Sequence, residues 1–572
     1  GLIYGLDILG NWLYDDEHPF AQVELIPVFE KLKSLKNTGY FEELIRKYLL
    51  DNPHGSVLTL VPSRGLAAKK AKALEDKLAD YLNGLSEEEK QQMVQRTKDL
   101  EAYQEAEEDP EAAKCIPMLK REDIRKEADK FYNEELDVDG SLFLYHDVPT
   151  NGIGYLDLMF DLKSLSPDKV PYLGLLKSVL GYVNTAHYTY GELSNEINAE
   201  TGGIVCGVEV FDRADSVDEY RAFFGVKGKV MYPKTDVMFC MIREILNTSD
   251  VTDTRRLHEI ISRVKSRAQS SLVSAGHSTA VLRAASYGSP MAAFQDTMAG
   301  IAYYQFIEKL DKEFEERKDE IIENLKSLMT EILRPENLSV SYTGERESLE
   351  TMQKQVRELK KTLHQEAVET SPAPMICEKK NEGFMTSGQV QYAAQAGNFR
   401  KKGFAYTGVL NILKVALSYD YLWINIRVKG GAYGCMSGFK YSGESFFVSY
   451  RDPHLKRTYD VFAGIPDYVR GFKADEREMT KYIIGTISGK DVPKTPQMKG
   501  NASKGAYFCG VTEEMMQKER DEILNAQAED IQALAPLIEA ILSDEEICVV
   551  GSEPKVQKEE ALFGSISSLI NG

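Results

Sequence analysis

Arg427 and Tyr433 lie six residues apart in the stretch WINIRVKGGAYGCMSGFKYSGESFFVSYRDP (423–453), with Gly430 and Gly431 between them. A guanidinium carries five N–H donors and a phenol one O–H, so the pair could recognise peptide carbonyls or steady an oxyanion. Arg427 is expected at a helix end and Tyr433 just past the Gly-Gly turn, at the start of a strand. Two glycines there let a backbone or ligand approach closely and set the geometry between the two side chains. The same spacing fits a plainer arrangement, in which Gly-Gly only ends a helix, Arg427 is solvated and Tyr433 packs. On spacing alone that alternative weighs more, because such turns are common.

Other chemistries are absent or broken. The eight histidines (18, 54, 146, 187, 258, 277, 364 and 454) include no two within five residues, so neither H-E-x-x-H nor H-x-x-E-H occurs. His187 opens a capped helix and is expected to serve that turn, and His258 lies on a charged helix. GTISGK (485–490) has three residues between its glycines where a phosphate loop has four, and Asp491 follows its Lys. GESFF (443–447) lacks the last Gly of a nucleophile elbow and lies in strand pattern. His364-Gln365-Glu366 has the H-x-E of zinc deaminases with no P-C-x-x-C after it. Seven scattered cysteines read as reduced thiols rather than a disulfide frame or a zinc cluster. A net charge of −20 argues against a general nucleic-acid or anionic-membrane binder, and no apolar run is long enough to span a bilayer.

The elements that must hold Arg427 and Tyr433 follow from pattern. Residues 1–62 read as helices followed by a strand, SVLTLVP (56–62), the tail of a domain, and the helical spacing from Leu2 onward suggests a chain cut from something longer. From Gly65 to Ala112 the rhythm of Ala67, Ala71, Leu74, Leu78 and Tyr81, then Met93, Thr97, Leu100 and Gln104, predicts an antiparallel helical hairpin. Asn83-Gly84 breaks it, a Ser86/Glu89 capping box restarts it, and the acidic run EAEEDPE (105–111) ends it. Two larger segments then repeat one order: strands, helices, Gly-Gly, strands, helices and a closing strand. In the first these are strands at 140–148 and 153–162, a helix capped by Thr189 and Glu192, Gly202-Gly203, strands at 204–211 and 221–232, helices over about 236–333 and a strand at 338–345. In the second they are a strand at 389–397, helices 409–418 and 420–428, Gly430-Gly431, the strands AYGCMSGFKY and SFFVSYRD, helices, and a strand at 546–553. The expected class is α+β, with two related domains, each a mostly antiparallel sheet with helices packed on it.

RVKGGAYG followed by SYRDP, the helix-ending ETGGI (200–204), and the acidic hairpin leading to CIPMLKREDI (115–124) resemble one family. It is the presequence-protease (falcilysin-like) branch, subfamily C, of the pitrilysin/insulinase zinc metallopeptidases. The match runs in order through nearly the whole chain, and only to that family's C-terminal half. The resemblance implies a clamshell of two halves, each with two related α+β domains, closing around a peptide-degrading chamber. Residues 1–62 would be the end of the second domain, 63–125 the hinge hairpin, 126–345 the third domain, 346–369 a helical linker and 370–572 the fourth domain. It implies zinc in the N-terminal half, where H-x-x-E-H resides, and no catalytic metal bound by this chain. It implies that Tyr433 donates to the developing oxyanion, and that Arg427, Gly430 and Gly431 bind the substrate, Arg427 through a backbone carbonyl. The implied partners are the N-terminal catalytic half and unstructured peptides, with no nucleic acid and no membrane; the excess negative charge suits basic peptides. The expected role is the substrate-binding, chamber-forming half of the peptidase, inactive alone. The alternative is a stand-alone inactive paralogue that scaffolds a separate catalytic subunit. The compartment would be the cytoplasm in a bacterium or an organelle matrix in a eukaryote.

Overall fold

A computed structural model describes residues 2–106, 110–113, 115–366, 368 and 370–570. The expectations for Gly1, for residues 107–109 of the acidic run, and for positions 367, 369, 571 and 572 lie outside the described residues. The chain divides into two units, Gly1–Pro117 and Met118–Gly572.

In the first unit, helices Leu2–Trp12, Ile26–Ser34 and Tyr40–Ile45 precede two longer ones, Leu66–Gly84 and Glu87–Glu105. The Ser86 capping box forms: the Glu89 backbone N–H donates to Ser86 Oγ (3.2 Å) and the Ser86 N–H to Glu89 Oε2 (2.8 Å). The strand read at 56–62 does not form. Val57, Leu58, Leu60 and Val61 lie in no regular element, exposed and unpaired, because a strand needs a neighbouring edge and no described residue supplies one. No described residue of this unit is buried, so its apolar seams, Leu74, Leu78 and Leu100 among them, face outward.

The second unit holds two six-stranded sheets. The first is built from β1 (Glu134–Val138), β2 (Ser141–Asp147), β3 (Ile153–Asp161), β4 (Ile204–Asp212), β5 (Tyr220–Met231) and β6 (Leu338–Gly344), in the order β1-β2-β6-β3-β5-β4. The second is built from β7 (Glu382–Thr386), β8 (Tyr392–Asn398), β9 (Gly434–Phe439), β10 (Glu444–Tyr450), β11 (Glu546–Ser552) and β12 (Ser565–Ser568), in the order β12-β7-β11-β8-β10-β9. Setting aside β1 and β12, each sheet places its five strands in the same order. The first and last strands of the five pair in parallel (β2 with β6, β7 with β11) and the rest antiparallel. This is the α+β repeat that the element order predicts. The polar strands β1, β7 and β12 were not legible in the pattern.

Period-2 alternation sends Phe143, Tyr145, Leu156, Leu158, Phe160, Phe224 and Val226 of the first sheet into one core with that domain's own helices. The other face of each sheet is covered by a helix from the other domain. Helix α1 (Gly276–Ala285), from the first domain, lays Ala280 and Ala284 against Ala394, Ala396, Val448 and Val550 of the second sheet. The region read as helix over 236–333 is a series of shorter helices, interrupted at the Asp253 and Ser289 N-caps and at Gly300. Helix α2 (Leu349–Thr362), expected within a charged linker, buries Leu349, Met352, Val356 and Leu359 in the first domain's core. Its apolar positions fall on one face, so the segment is part of that domain rather than a solvated connection. Helix α3 (Val409–Ala416) packs in the second domain's core. Helix α4 (Pro496–Cys509), from the second domain, crosses back onto the first sheet and sets Phe508 against Phe211 and Phe223, at 5.3 and 4.8 Å between ring centroids. Among the described residues no helix is long and apolar enough to cross a membrane.

Candidate functional site

The two helices read at 409–418 and 420–428 are one continuous helix. After α3 it widens into π-helical turns, Leu417–Tyr421 and Trp423–Val428. At its end the Lys429 N–H donates to the Ile424 carbonyl (2.8 Å), five residues back. Gly430 and Gly431 then turn the chain. A Cβ on Gly430 would overlap the Ile426 carbonyl oxygen, and Gly431 sits at φ +75°, where a side chain is strained. The Gly431 N–H donates to the Arg427 carbonyl (2.8 Å) and the Ala432 N–H to the Ile426 carbonyl (3.1 Å). The Tyr433 N–H then donates to the Tyr450 carbonyl (3.0 Å), and β9 begins at the next residue.

This turn brings Arg427 and Tyr433 together. The Arg427 guanidinium carbon lies 4.0 Å from the Trp423 ring centroid and 5.6 Å from that of Tyr433. Among the described residues it has no carboxylate and no hydrogen-bond acceptor, so its donors are free and its charge is held only by ring faces. Tyr433 is 64 % exposed. On β9, burial pushes the Cys435 thiol up to about 12 against the pull of Arg427, which leaves it an inert neighbour. The arrangement places a cation and an exposed tyrosine side by side at the end of the turn.

The SYRDP stretch braces the same corner. Ser449 Oγ accepts from the Ala393 N–H (3.2 Å), and Arg451 takes a left-handed φ of +52°. The buried Asp452 exchanges backbone hydrogen bonds with Gln391 (2.7 and 2.9 Å) and accepts from Thr458 Oγ1 (2.5 Å). Tyr450 meets Tyr433 edge to face at 5.7 Å between centroids. Trp423 and Tyr450 were not singled out from the sequence. Trp423 stands one helical turn before Arg427, a spacing that could have pointed to it.

The first domain also has a Gly-Gly between a helix and a strand, but the turn differs: its helix ends at Glu200 without π-helical widening, and the Gly202 N–H donates across the sheet to the Lys229 carbonyl (2.7 Å). Gly202-Gly203 precede β4 as Gly430-Gly431 precede β9, with Gly203 at φ +113°. Counted from the glycine pair, the places of Arg427 and Tyr433 are taken by Ala199 and Val205, neither of which has a side-chain donor. Two of the histidines singled out from the sequence, His187 and His258, have structural partners. His187 Nδ1 lies 2.6 Å from Glu244, and His258 stacks on Phe314 at 4.3 Å and approaches Asp311 at 3.4 Å. Among the described residues no group of three or more His, Cys, Asp and Glu could hold a metal ion. A guanidinium and a phenol offer donors where zinc needs lone pairs, so the Arg427–Tyr433 corner does not fit that ion.

Comparison with known proteins matches residues 60–310 to the family described as associated with subfamily C of the M16 peptidases, and residues 381–553 to the one described as "PreP C-terminal domain". The protein HypA of Clostridium perfringens is 38% identical over 570 residues, covering 100% of this chain and 58% of that protein. Presequence protease 1, chloroplastic/mitochondrial, of Arabidopsis thaliana is 30% identical over 557 residues, covering 95% of this chain and 50% of its own length. The chain therefore spans about half the length of these relatives. A crystal structure of a peptidase M16 inactive domain from Pseudomonas fluorescens superposes with a TM-score of 0.50 at 12% identity, covering 73% of this chain and 98% of that one, a likeness of fold alone. With two of its family's domains matched in order along the chain and 95% of the chain aligned to half of a presequence protease, this chain belongs to the presequence-protease family, subfamily C of the M16 peptidases, and corresponds to its C-terminal half.

Proposed function

We propose that this chain is the substrate-binding, chamber-forming half of a zinc metalloendopeptidase that degrades unstructured peptides, the metal being held by the half it does not contain. The observation that carries the reading is the unpartnered Arg427 guanidinium beside the ring of the exposed Tyr433, at the end of a π-turn and Gly-Gly. As a peptide carbonyl becomes tetrahedral, charge gathers on its oxygen, and the Tyr433 O–H donates to that oxygen. The Arg427 N–H groups donate to a neighbouring backbone carbonyl and hold the peptide in place. The net charge of −20 favours basic peptides.

In the full-length protein, Tyr433→Phe is expected to lower kcat on the order of 10²-fold with little change in KM, because its bond strengthens only in the transition state. Arg427→Ala is expected to raise KM as well, because the carbonyl it holds is present in substrate and transition state alike. Steady-state kinetics on a peptide, alongside thermal melts, decide the matter. Full kcat in Tyr433→Phe would make Tyr433 a packing residue and overturn the reading.

A further inference from the structure

His277 belongs to the first domain, yet its ring stands at the site of the second. It is the second residue of α1, the helix that crosses onto the other sheet. Its ring meets Tyr450 edge to face, 4.9 Å between centroids and 84° between planes, and lies 6.3 Å from Tyr392. Tyr392 and Tyr450 are themselves 5.6 Å apart, and Tyr450 in turn supports Tyr433 at 5.7 Å and 71°. The rings thus form a file from α1 to the exposed phenol.

The approach that makes this possible is built in. A Cβ on Gly276 would overlap the Tyr392 ring, so α1 can begin at this depth only with glycine there. His277 Nδ1 is buried and has no hydrogen-bond partner in the described structure, although a buried polar atom is ordinarily paired. Burial also lowers the His277 pKa from its ordinary 6.5, because desolvation disfavours the charged ring. A histidine that serves no hydrogen bond at this nitrogen, yet packs edge-on against the ring behind Tyr433, acts through its shape. We propose that His277 is a positioning residue: through Tyr450 it fixes the direction of the Tyr433 hydroxyl, so that the first domain sets the geometry of the second domain's site. This rests on the reading of Tyr433 given above.

The test is a mutant cycle in the full-length protein, read by steady-state peptide kinetics and thermal melts. His277→Ala is expected to lower kcat on the order of tenfold with KM nearly unchanged, since a slack hydroxyl costs most where the oxyanion forms. His277→Phe, which keeps a flat ring, is expected to restore most of kcat. In the Tyr433→Phe background, His277→Ala is expected to cost nothing further, because the hydroxyl it aims is already gone. Tyr450→Leu is expected to repeat the kcat-confined loss and serves if His277→Ala fails to fold. Wild-type kcat in folded His277→Ala, or an equal loss with and without the Tyr433 hydroxyl, overturns the positioning role alone. A kinetically silent Tyr433→Phe overturns the reading beneath it, and this proposal with it.

Discussion

Gly430 and Gly431 do different work in the turn, and substitution separates them. Gly431 needs its left-handed φ, but the nearest atom to an added Cβ is Pro453 Cγ at an ordinary 3.6 Å. Gly431→Ala is therefore expected to cost about 1–2 kcal/mol of stability, seen as a lower melting temperature, with catalysis in the full-length protein largely retained. Gly430→Ala places its Cβ on the Ile426 carbonyl oxygen and must shift the last π-turn, which carries Arg427. It is expected to lose both stability and kcat/KM, and the contrast appears when melts and kinetics of the two variants are set side by side. The Arg427–Gly430–Gly431–Tyr433 spacing was readable because it is local. The π-widening was not, since it leaves no period in the side-chain pattern. His277 was invisible for a different reason: only the fold brings it there.

The crossing helices α1 and α4 each carry a cation to the opposite domain. Lys504 of α4, 2 % exposed, pairs with Asp157 on β3 and with Glu209 on β4 (2.8 Å), and Glu209 also takes Lys227 (2.8 Å). Arg283 of α1 meets Glu382 on β7 and Asp296, both at 2.6 Å. Removing one partner strands buried charge, so Lys504→Ala is expected to destabilise by about 3–5 kcal/mol in chemical denaturation, whereas Lys504→Met combined with Asp157→Leu and Glu209→Leu should recover most of that loss. Burial raises the Glu209 pKa, but Lys504 and Lys227 outweigh it and hold it below its ordinary 4.5. A depressed carboxylate stabilises fully above its unfolded pKa, so this contribution is expected to be lost as the pH falls below about 4.5, and Lys504→Met should flatten that acid limb. Strand assignments succeeded where apolar alternation is dense, as in β3 and β5. They failed at SVLTLVP, which has the composition of a strand but no partner edge, and at β1, β7 and β12, whose pairing depends on neighbours far along the chain. The seam of α2 was visible as Leu349, Met352, Val356 and Leu359, but not the core that receives it.

At the scale of the molecule, each sheet of the Met118–Gly572 unit is completed by a helix from the other domain. Neither domain can therefore bury its outer face alone, and each would leave residues such as Phe508 or Ala284 without their counterpart. Fragments spanning 118–368 and 370–572, expressed separately, are expected to lack a cooperative thermal transition, and co-expression is expected to restore one. Two independent, cooperative melts would contradict this. The same exchange has a consequence for genetics. In a saturation screen, loss-of-function substitutions at residues 276–287 should share phenotypes with those at 392–450, while those at 496–509 should group with those in β3, β4 and β5. A map of alleles drawn along the chain would then show two domains, each holding a short outlying cluster that behaves as its neighbour's property.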